Sequence, residues 1–285
     1  MNSPVGELLR AWRMRRGLSQ LALSAQSGIS TRHISFVETG RTVPSTAMIE
    51  RFAENLNVPL RDRNQLHLAA GALPVHPQRT LDDPDLAAAT AAVRRVVACH
   101  EPYPAIAVDA QWNLLFANDA AEIFFDGASP ELLNPPVNMM RLGLHPDGFA
   151  ARITNYAQVS NYLLPRLARQ AERSGDPALA ALHAELRVFA PTDDSPVDPA
   201  DVALPIRLAH NDTELSFFNT IMTFGAAFDI TLAEIAVESY FPADSHTAEY
   251  LHRRQVAGRP DAGADAGREL RTTASIDKLP DSKKS

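Results

Sequence analysis

Apolar side chains recur every three to four positions through the first 73 residues, which is the period of an amphipathic helix. Ser, Gly and Pro residues that favour helix ends divide this stretch into five segments. We therefore predict helices over 4–16, over a segment capped by Ser19, over one capped by Ser30, over one capped by Ser45, and over 60–70. The N-terminal part of the chain is predicted to be all-α.

From Pro104 the apolar period shortens to two, which is typical of half-buried strands. We expect a hairpin built around Ile106 and Leu114, then helical segments, and then three strands over 202–209, 214–224 and 233–241. Two strands, a helical insertion and three antiparallel strands are the element order of a PAS-like domain. The prediction is a multidomain chain in which an α+β domain with a five-stranded antiparallel sheet follows the helical domain.

The segment 17–40, GLSQLALSAQSGISTRHISFVETG, has the spacing of two short helices packed across a tight turn. Gly28 falls at the turn, where a positive φ is cheap only for a residue without Cβ. Ser24 is small where the helices approach each other, and Ile34 and Val37 return to the same core. This pattern predicts a helix-turn-helix whose second helix can enter a DNA major groove.

The GLSQ, G-I-S and E-T-G elements of this segment resemble the lambda-repressor and Cro type of helix-turn-helix domain, the XRE family. The resemblance implies that Gln20 and Ser30 contact the phosphate backbone of double-stranded DNA. It also implies that Thr31, Arg32 and Phe36 of the second helix face the base edges. The predicted DNA-binding residues are Gln20, Ser30, Thr31, Arg32, His33, Phe36 and Arg41.

Three of these expectations have open alternatives. Arg32 can donate two bonds to a guanine or remain a solvated arginine, and His33 can reach the DNA backbone or solvent. Phe36 departs from the family, in which a polar reader is common, so it either contacts a thymine methyl or packs in the core. Arg13 and Glu38 match an ion pair of the family, or are two solvated charges.

The remaining chain divides by composition. Residues 74–92 hold prolines and few large apolar side chains at their start, and we predict a linker and the beginning of a connecting helix. Residues 93–255 form the predicted PAS-like domain. Residues 256–285 are rich in Gly, Asp, Ala, Ser and Lys and cannot bury enough apolar surface to order themselves, so a disordered tail is predicted.

Four blocks of the second domain, at 102–118, 138–142, 217–225 and 238–244, resemble in their order the effector domain of MmyB-like transcription regulators. That resemblance implies an apolar, fatty-acid-like small molecule as ligand. We expect a set of large apolar side chains and two amides to face one ligand pocket. These residues are Trp112, Phe116, Asn118, Phe124, Asn138, Met139, Tyr156, Phe218 and Phe224. Each aromatic is also explained as plain hydrophobic core, and Asn118 as a helix N-cap.

Charge supports a division of labour between the domains. Residues 1–73 carry nine arginines against five acidic residues, a net charge of +4, whereas the rest of the chain carries −11. We call residues 1–73 the head and the domain that follows it the body. A basic head and an acidic body are expected if only the head contacts phosphate. The sequence has a single cysteine and no apolar run long enough for a signal peptide or membrane span, so we predict a cytoplasmic protein without membrane contact.

No motif of a known catalytic centre is present, and neither a cofactor nor a metal is expected. His246, Glu249 and His252 share a helix face only loosely, and Cys99 is expected to be a buried thiol. The chain is therefore interpreted as a homodimeric, ligand-sensing transcription regulator. The alternatives are a DNA-binding head with a protein-interaction body that binds no ligand, and an enzyme with an appended DNA-binding domain.

Overall fold

The computed structural model describes residues 4–191 and 203–258. Its first part is the predicted bundle of five helices. They are α1 (Pro4–Arg15), α2 (Gln20–Ser27), α3 (Thr31–Glu38), α4 (Thr46–Asn55) and α5 (Leu60–Ala69). Ser19, Ser30 and Ser45 each accept a hydrogen bond from a first-turn amide, so all three predicted N-caps are confirmed.

One apolar core holds the head together. Its fully buried members come from all five helices and include Leu9, Trp12, Leu23, Ile34, Val37, Ile49, Phe52 and Leu66. Gly28 adopts φ +65° at the turn between α2 and α3, as its position predicts. A close approach at Gly6 of α1 was not predicted: a Cβ there would lie 2.3 Å from the carbonyl oxygen of Val37, so α1 can pack against α3 at this point only with glycine.

The second part is built on a five-stranded sheet. Its strands are β1 (Ala105–Val108), β2 (Leu114–Ala117), β3 (Ile206–His210), β4 (Thr213–Thr223) and β5 (Ala236–Pro242), in the spatial order β2-β1-β5-β4-β3. Every neighbouring pair is antiparallel. The α+β class and the PAS-like arrangement are thus confirmed.

Helices occupy both faces of the sheet. They are α6 (Ala87–Cys99), α7 (Met139–Leu144), α8 (Tyr156–Ser174), α9 (Pro177–Leu186), α10 (Ile230–Glu234) and α11 (Ser245–Gly258). The predicted strand start at residue 233 is wrong, because Asp229 caps the short helix α10 there and β5 begins only at Ala236. The helical segments predicted between the hairpin and the last three strands include 130–133, and this segment forms turns instead.

The two sheet faces carry separate cores. The inner face packs against α7, α8 and α9, whereas the outer face of β1 and β5 packs against Val93 and Val97 of α6. Because α6 turns these valines toward the sheet, Cys99 at its end is exposed, and the expectation of a buried thiol is wrong. The predicted disordered tail lies largely outside the described residues.

Candidate DNA-binding surface and effector site

The helix α3 turns one face into the core and presents the other outward. Ile34, Val37 and Glu38 are buried, while Arg32 is exposed and Thr31 is half-buried. The first-turn amides of α3 form the positive end of the helix dipole, and the Ser30 hydroxyl accepts a hydrogen bond from one of them, His33 N, at 3.3 Å. The outer face of α3 therefore carries guanidinium and hydroxyl donors next to the positive end of the helix.

Phe36 lies on this outward face between two cations. The guanidinium carbons of Arg32 and Arg41 lie 5.2 and 5.5 Å from its ring centroid. The ring is half-buried and does not belong to the head's core, so the alternative in which Phe36 packs in the core is wrong. Phe36 instead holds the two arginines beside each other by cation–π contact.

A buried ion pair fixes α3 to the rest of the head. Arg13 of α1 donates two hydrogen bonds to Glu38, at 2.6 and 2.9 Å, and this bond raises the pKa of the arginine. The ion pair predicted from the family resemblance is confirmed, and two solvated charges are excluded. The Gln20 side-chain amide also donates to Glu38 at 2.9 Å, so this predicted phosphate contact has a partner inside the head.

Only part of the predicted effector-site set lies together. Four of its side chains join the core on the inner sheet face: Trp112, Phe124, Met139 and Tyr156. Phe124 is at its centre, with ring centroids of Tyr240 at 4.7 Å and of Phe149 at 5.4 Å.

The prediction that all the aromatics face one space is wrong for three of them. Phe116 packs on the outer sheet face, where the Arg94 guanidinium lies 3.9 Å from its ring centroid. Phe218 is on the same outer face, opposite Phe241, and Phe224 lies exposed beyond the end of β4. Strict alternation along a strand places neighbouring residues on opposite faces, and Phe217 is the inward one.

The two predicted amides have structural partners. Asn118 accepts from Ala105 N and Ala121 N and donates to the carbonyl of Tyr103, which caps the short 3₁₀ helix that follows it. Asn138 caps α7 and donates to the carbonyl of Gln111. The structure thus supports the capping role for both side chains, and a role in ligand contact remains a prediction.

A buried polar cluster that the residue-by-residue prediction missed lies on the inner face of β4 and β5. The Tyr240 hydroxyl donates to Glu238 Oε2 at 2.9 Å, and the Asn219 side chain also hydrogen-bonds to this pair. Burial raises the pKa of Glu238 and raises that of Tyr240 well above the usual value. A carboxyl that resists ionisation here can donate a hydrogen bond as well as accept one.

Arg166 of α8 faces the same cluster. Its charge acts on Glu238, and its guanidinium carbon lies 5.3 Å from the Trp112 ring centroid. No hydrogen bond or ion pair of this guanidinium is found within 4–191 and 203–258. Ile221, which pairs with Glu238 and so shares its sheet face, is 37% exposed, which shows that the cluster borders a surface opening.

The alternation of residues along β5 contains a signal for this cluster. In AVESYFP, the residues at 236, 238 and 240 share one face and the residues at 237, 239 and 241 share the other. Because either assignment buries one polar residue beside apolar ones, a polar group inside the sheet is predictable from the sequence. Both faces of β5 are covered in the structure: Val93 and Val97 of α6 pack on Val237, whereas Glu238 and Tyr240 are buried on the inner face.

Histidines of the body serve other contacts. His246 Nε2 lies 2.6 Å from Thr213 Oγ1, and His252 Nδ1 lies 2.7 Å from the carbonyl of Ala248. No group of three or more potential metal ligands is found in the described part of the chain. None of its helices is both long and apolar enough to cross a membrane.

A helix-turn-helix head and a PAS-like body with a buried polar cluster define a DNA-binding transcription regulator with a ligand-binding domain. Comparison with protein families agrees: residues 4–66 match a helix-turn-helix domain, and residues 89–253 match the MmyB-like transcription regulator ligand binding domain. The second match covers more than half of the chain, which therefore belongs to the family of MmyB-like transcription regulators. A comparison with curated proteins gave no match.

Proposed function

We propose that α3 reads DNA sequence through Arg32 and the residues around it. The observation that carries this proposal is the outward face of α3, on which Phe36 holds Arg32 and Arg41 side by side. Thr31 and Arg32 face base edges, Ser30, His33 and Gln20 lie nearest the phosphates, and Arg41 adds charge at the end of the helix. The Gln20 amide has two N–H donors, so one can contact a phosphate while the other stays bonded to Glu38.

Selection from a pool of random duplexes tests this function. The full chain should recover a short preferred sequence, and its affinity for that duplex should fall steeply with salt as phosphate contacts release counterions. With about six phosphate contacts, a fourfold rise in salt should weaken binding about 10³-fold. Recovery of no preferred sequence, or an affinity that salt leaves unchanged, would remove the case for sequence-specific binding.

For the body we propose an apolar ligand with one polar end. The family resemblance favours a fatty-acid-like molecule, and the polar cluster supplies matching chemistry. The carboxylate of the ligand would pair with Arg166. The ligand's hydrocarbon chain would lie against Trp112 and the neighbouring predicted residues Phe124, Met139 and Tyr156. Ligand bound there would bias the relative orientation of two heads in a homodimer and so change DNA affinity.

Palmitate, with the alcohol of equal length as comparison, tests the ligand proposal by thermal shift. A ligand at about a hundred times its Kd stabilises by about 2.7 kcal/mol, which raises the melting temperature of a domain of this size by about 5–10 °C. Arg166→Ala should abolish the preference for the acid, whereas Arg169→Ala, an exposed change on the same helix, should keep it. Equal shifts for acid and alcohol would argue against the role of Arg166.

A second function is favoured by the outer sheet face. Phe218 and Phe241 form a cross-strand pair that is 36% and 43% exposed, and Met222 nearby is 49% exposed. An exposed apolar patch of this kind often marks a protein interface. In this second function the body serves dimerisation or protein interaction without a ligand. Met222→Glu would then make the chain monomeric, and palmitate would leave its melting temperature unchanged.

A further inference from the structure

The segment between head and body is tied to both. On the head side, the Asn64 side chain of α5 accepts from the amides of Val75 and His76 and donates to the carbonyl of His76. On the body side, the Pro77 carbonyl accepts from Ile230 N at 2.9 Å. Arg79 adds an ion pair to Asp229, at 3.1 Å. Residues 75–79 of the predicted linker therefore contact both α5 and α10, and we call them the bracket.

The head also contacts α10 directly through an ion pair. Arg61 of α5 donates two hydrogen bonds to Glu234, each at 2.9 Å, and a third to Gln78 in the bracket. These two bonds join residues 173 positions apart in the sequence, across the boundary between the two domains. A bidentate guanidinium–carboxylate pair fixes angle as well as distance, so it sets the orientation of the head.

A second contact supports the same arrangement. The Arg15 guanidinium of α1 lies against the backbone of Gly175 at the end of α8, where a Cβ would come within 2.7 Å of it. Burial at this junction raises the pKa of Asp62 to about 6, opposed by the charges of Arg15 and Arg61 and assisted by those of Glu234 and Asp176. Basic side chains of the head thus meet acidic side chains of the body.

Apolar packing does not close the junction. A cavity of about 320 Å³ separates the α4–α5 corner, at Val58 and Pro59, from Ile230 and Ala233 of α10. The polar contacts therefore carry much of the specificity of docking, and their loss would free the head to rotate about the bracket.

The position of α10 links this junction to the effector site. The helix lies in the connection between β4, which carries Asn219, and β5, which carries Glu238. Glu234 precedes Glu238 by only four residues, and the intervening Ile235 and Val237 are buried in the outer core. A shift of β5 against β4 must therefore move the residue that Arg61 holds.

We propose that the Arg61–Glu234 pair is a latch that sets the head's orientation on the body and through which the effector site controls DNA binding. The latched state holds the heads of a dimer at the separation of two half-sites, and an unlatched head still binds one half-site. The regulatory part rests on the proposed function, whereas the latch itself can be tested without DNA.

Spin labels on the native Cys99 and on an introduced Ala25→Cys, both exposed, report the head-to-body distance in the full chain. We expect a narrow distance distribution that Arg61→Glu broadens and that the double change Arg61→Glu with Glu234→Arg makes narrow again. Arg10→Glu, an exposed reversal on α1, is the matched control, and Arg61→Gln is a milder variant should the reversal impair folding. A distribution that stays narrow in both Arg61 variants would overturn the latch, as would failure of the folded double variant to restore it.

DNA affinity tests the regulatory part with the duplex recovered by selection and with a duplex that carries one half-site. If Arg61→Glu lowers the fraction of dimers with both heads latched to about a tenth, affinity for the two-half-site duplex should fall about tenfold. Affinity for the single half-site should be unchanged, and the double variant should recover. If Arg61→Glu broadens the distance distribution and yet binds each duplex with the wild-type affinity, control through the latch is overturned. Absence of DNA binding by the wild type would instead overturn the proposed function.

Discussion

Replacing Glu38 by Ala is expected to lower the free energy of unfolding of the head by about 3 kcal/mol, because it leaves the buried Arg13 guanidinium without its carboxylate. The same change removes the acceptor of the Gln20 amide, which loosens α2 from α3. Urea unfolding followed by the fluorescence of Trp12, which is buried in the head's core, measures the loss in a chain whose other tryptophan is changed by Trp112→Phe.

Two variants separate the ion pair from mere packing. Glu38→Gln keeps the shape and some hydrogen bonds, so it should cost less than Glu38→Ala but remain clearly destabilising. Glu7→Ala, an exposed acidic residue on α1, should change stability by no more than about 0.5 kcal/mol. If Glu38→Ala proved as harmless as Glu7→Ala, the buried pair would contribute little to the fold of the head.

Replacing Arg32 by Ala is expected to relax sequence preference at one base pair of the selected DNA, at a cost of about 1–3 kcal/mol against the preferred base. The side chain is exposed and lies over the Phe36 ring outside the head's core, so the head's stability should not change measurably. Competition binding with duplexes that vary at each position measures the preference.

Arg32→Lys is the informative control, since a lysine keeps the charge but cannot form the forked pair of bonds to a guanine. It should retain nearly the salt dependence of the wild type while losing the base preference. A preference that survives in Arg32→Ala would assign base reading to other residues of α3, with Phe36 as the first candidate.

The head was predictable almost residue by residue because its signals are local. Ser19, Ser30 and Ser45 cap helices wherever the backbone allows it, and Gly28 adopts the left-handed conformation that its position requires. The close packing at Gly6 escaped prediction, since nothing within α1 indicates which neighbour its bare backbone meets.

The effector site was less predictable because it depends on which sheet face each strand presents. Phe218 and Phe217 are adjacent and chemically identical, and only the pairing of β4 with β5 decides that Phe217 is inside. Helix α6 had the same effect on Phe116, because it created a second core on the outer face. Glu238 and Arg166 meet through tertiary packing alone, between a strand and a helix that the sequence separates by about seventy residues.

The triangle formed by Arg13 of α1, Gln20 of α2 and Glu38 of α3 has a kinetic consequence. Three helices joined by one buried carboxylate present the outer face of α3 already ordered, so DNA binding costs little conformational entropy. Encounters with any duplex should then be similarly fast, driven by charge, and the preferred sequence should be distinguished by how long the complex lasts. A change in head orientation should therefore alter the residence time on DNA more than the rate of association.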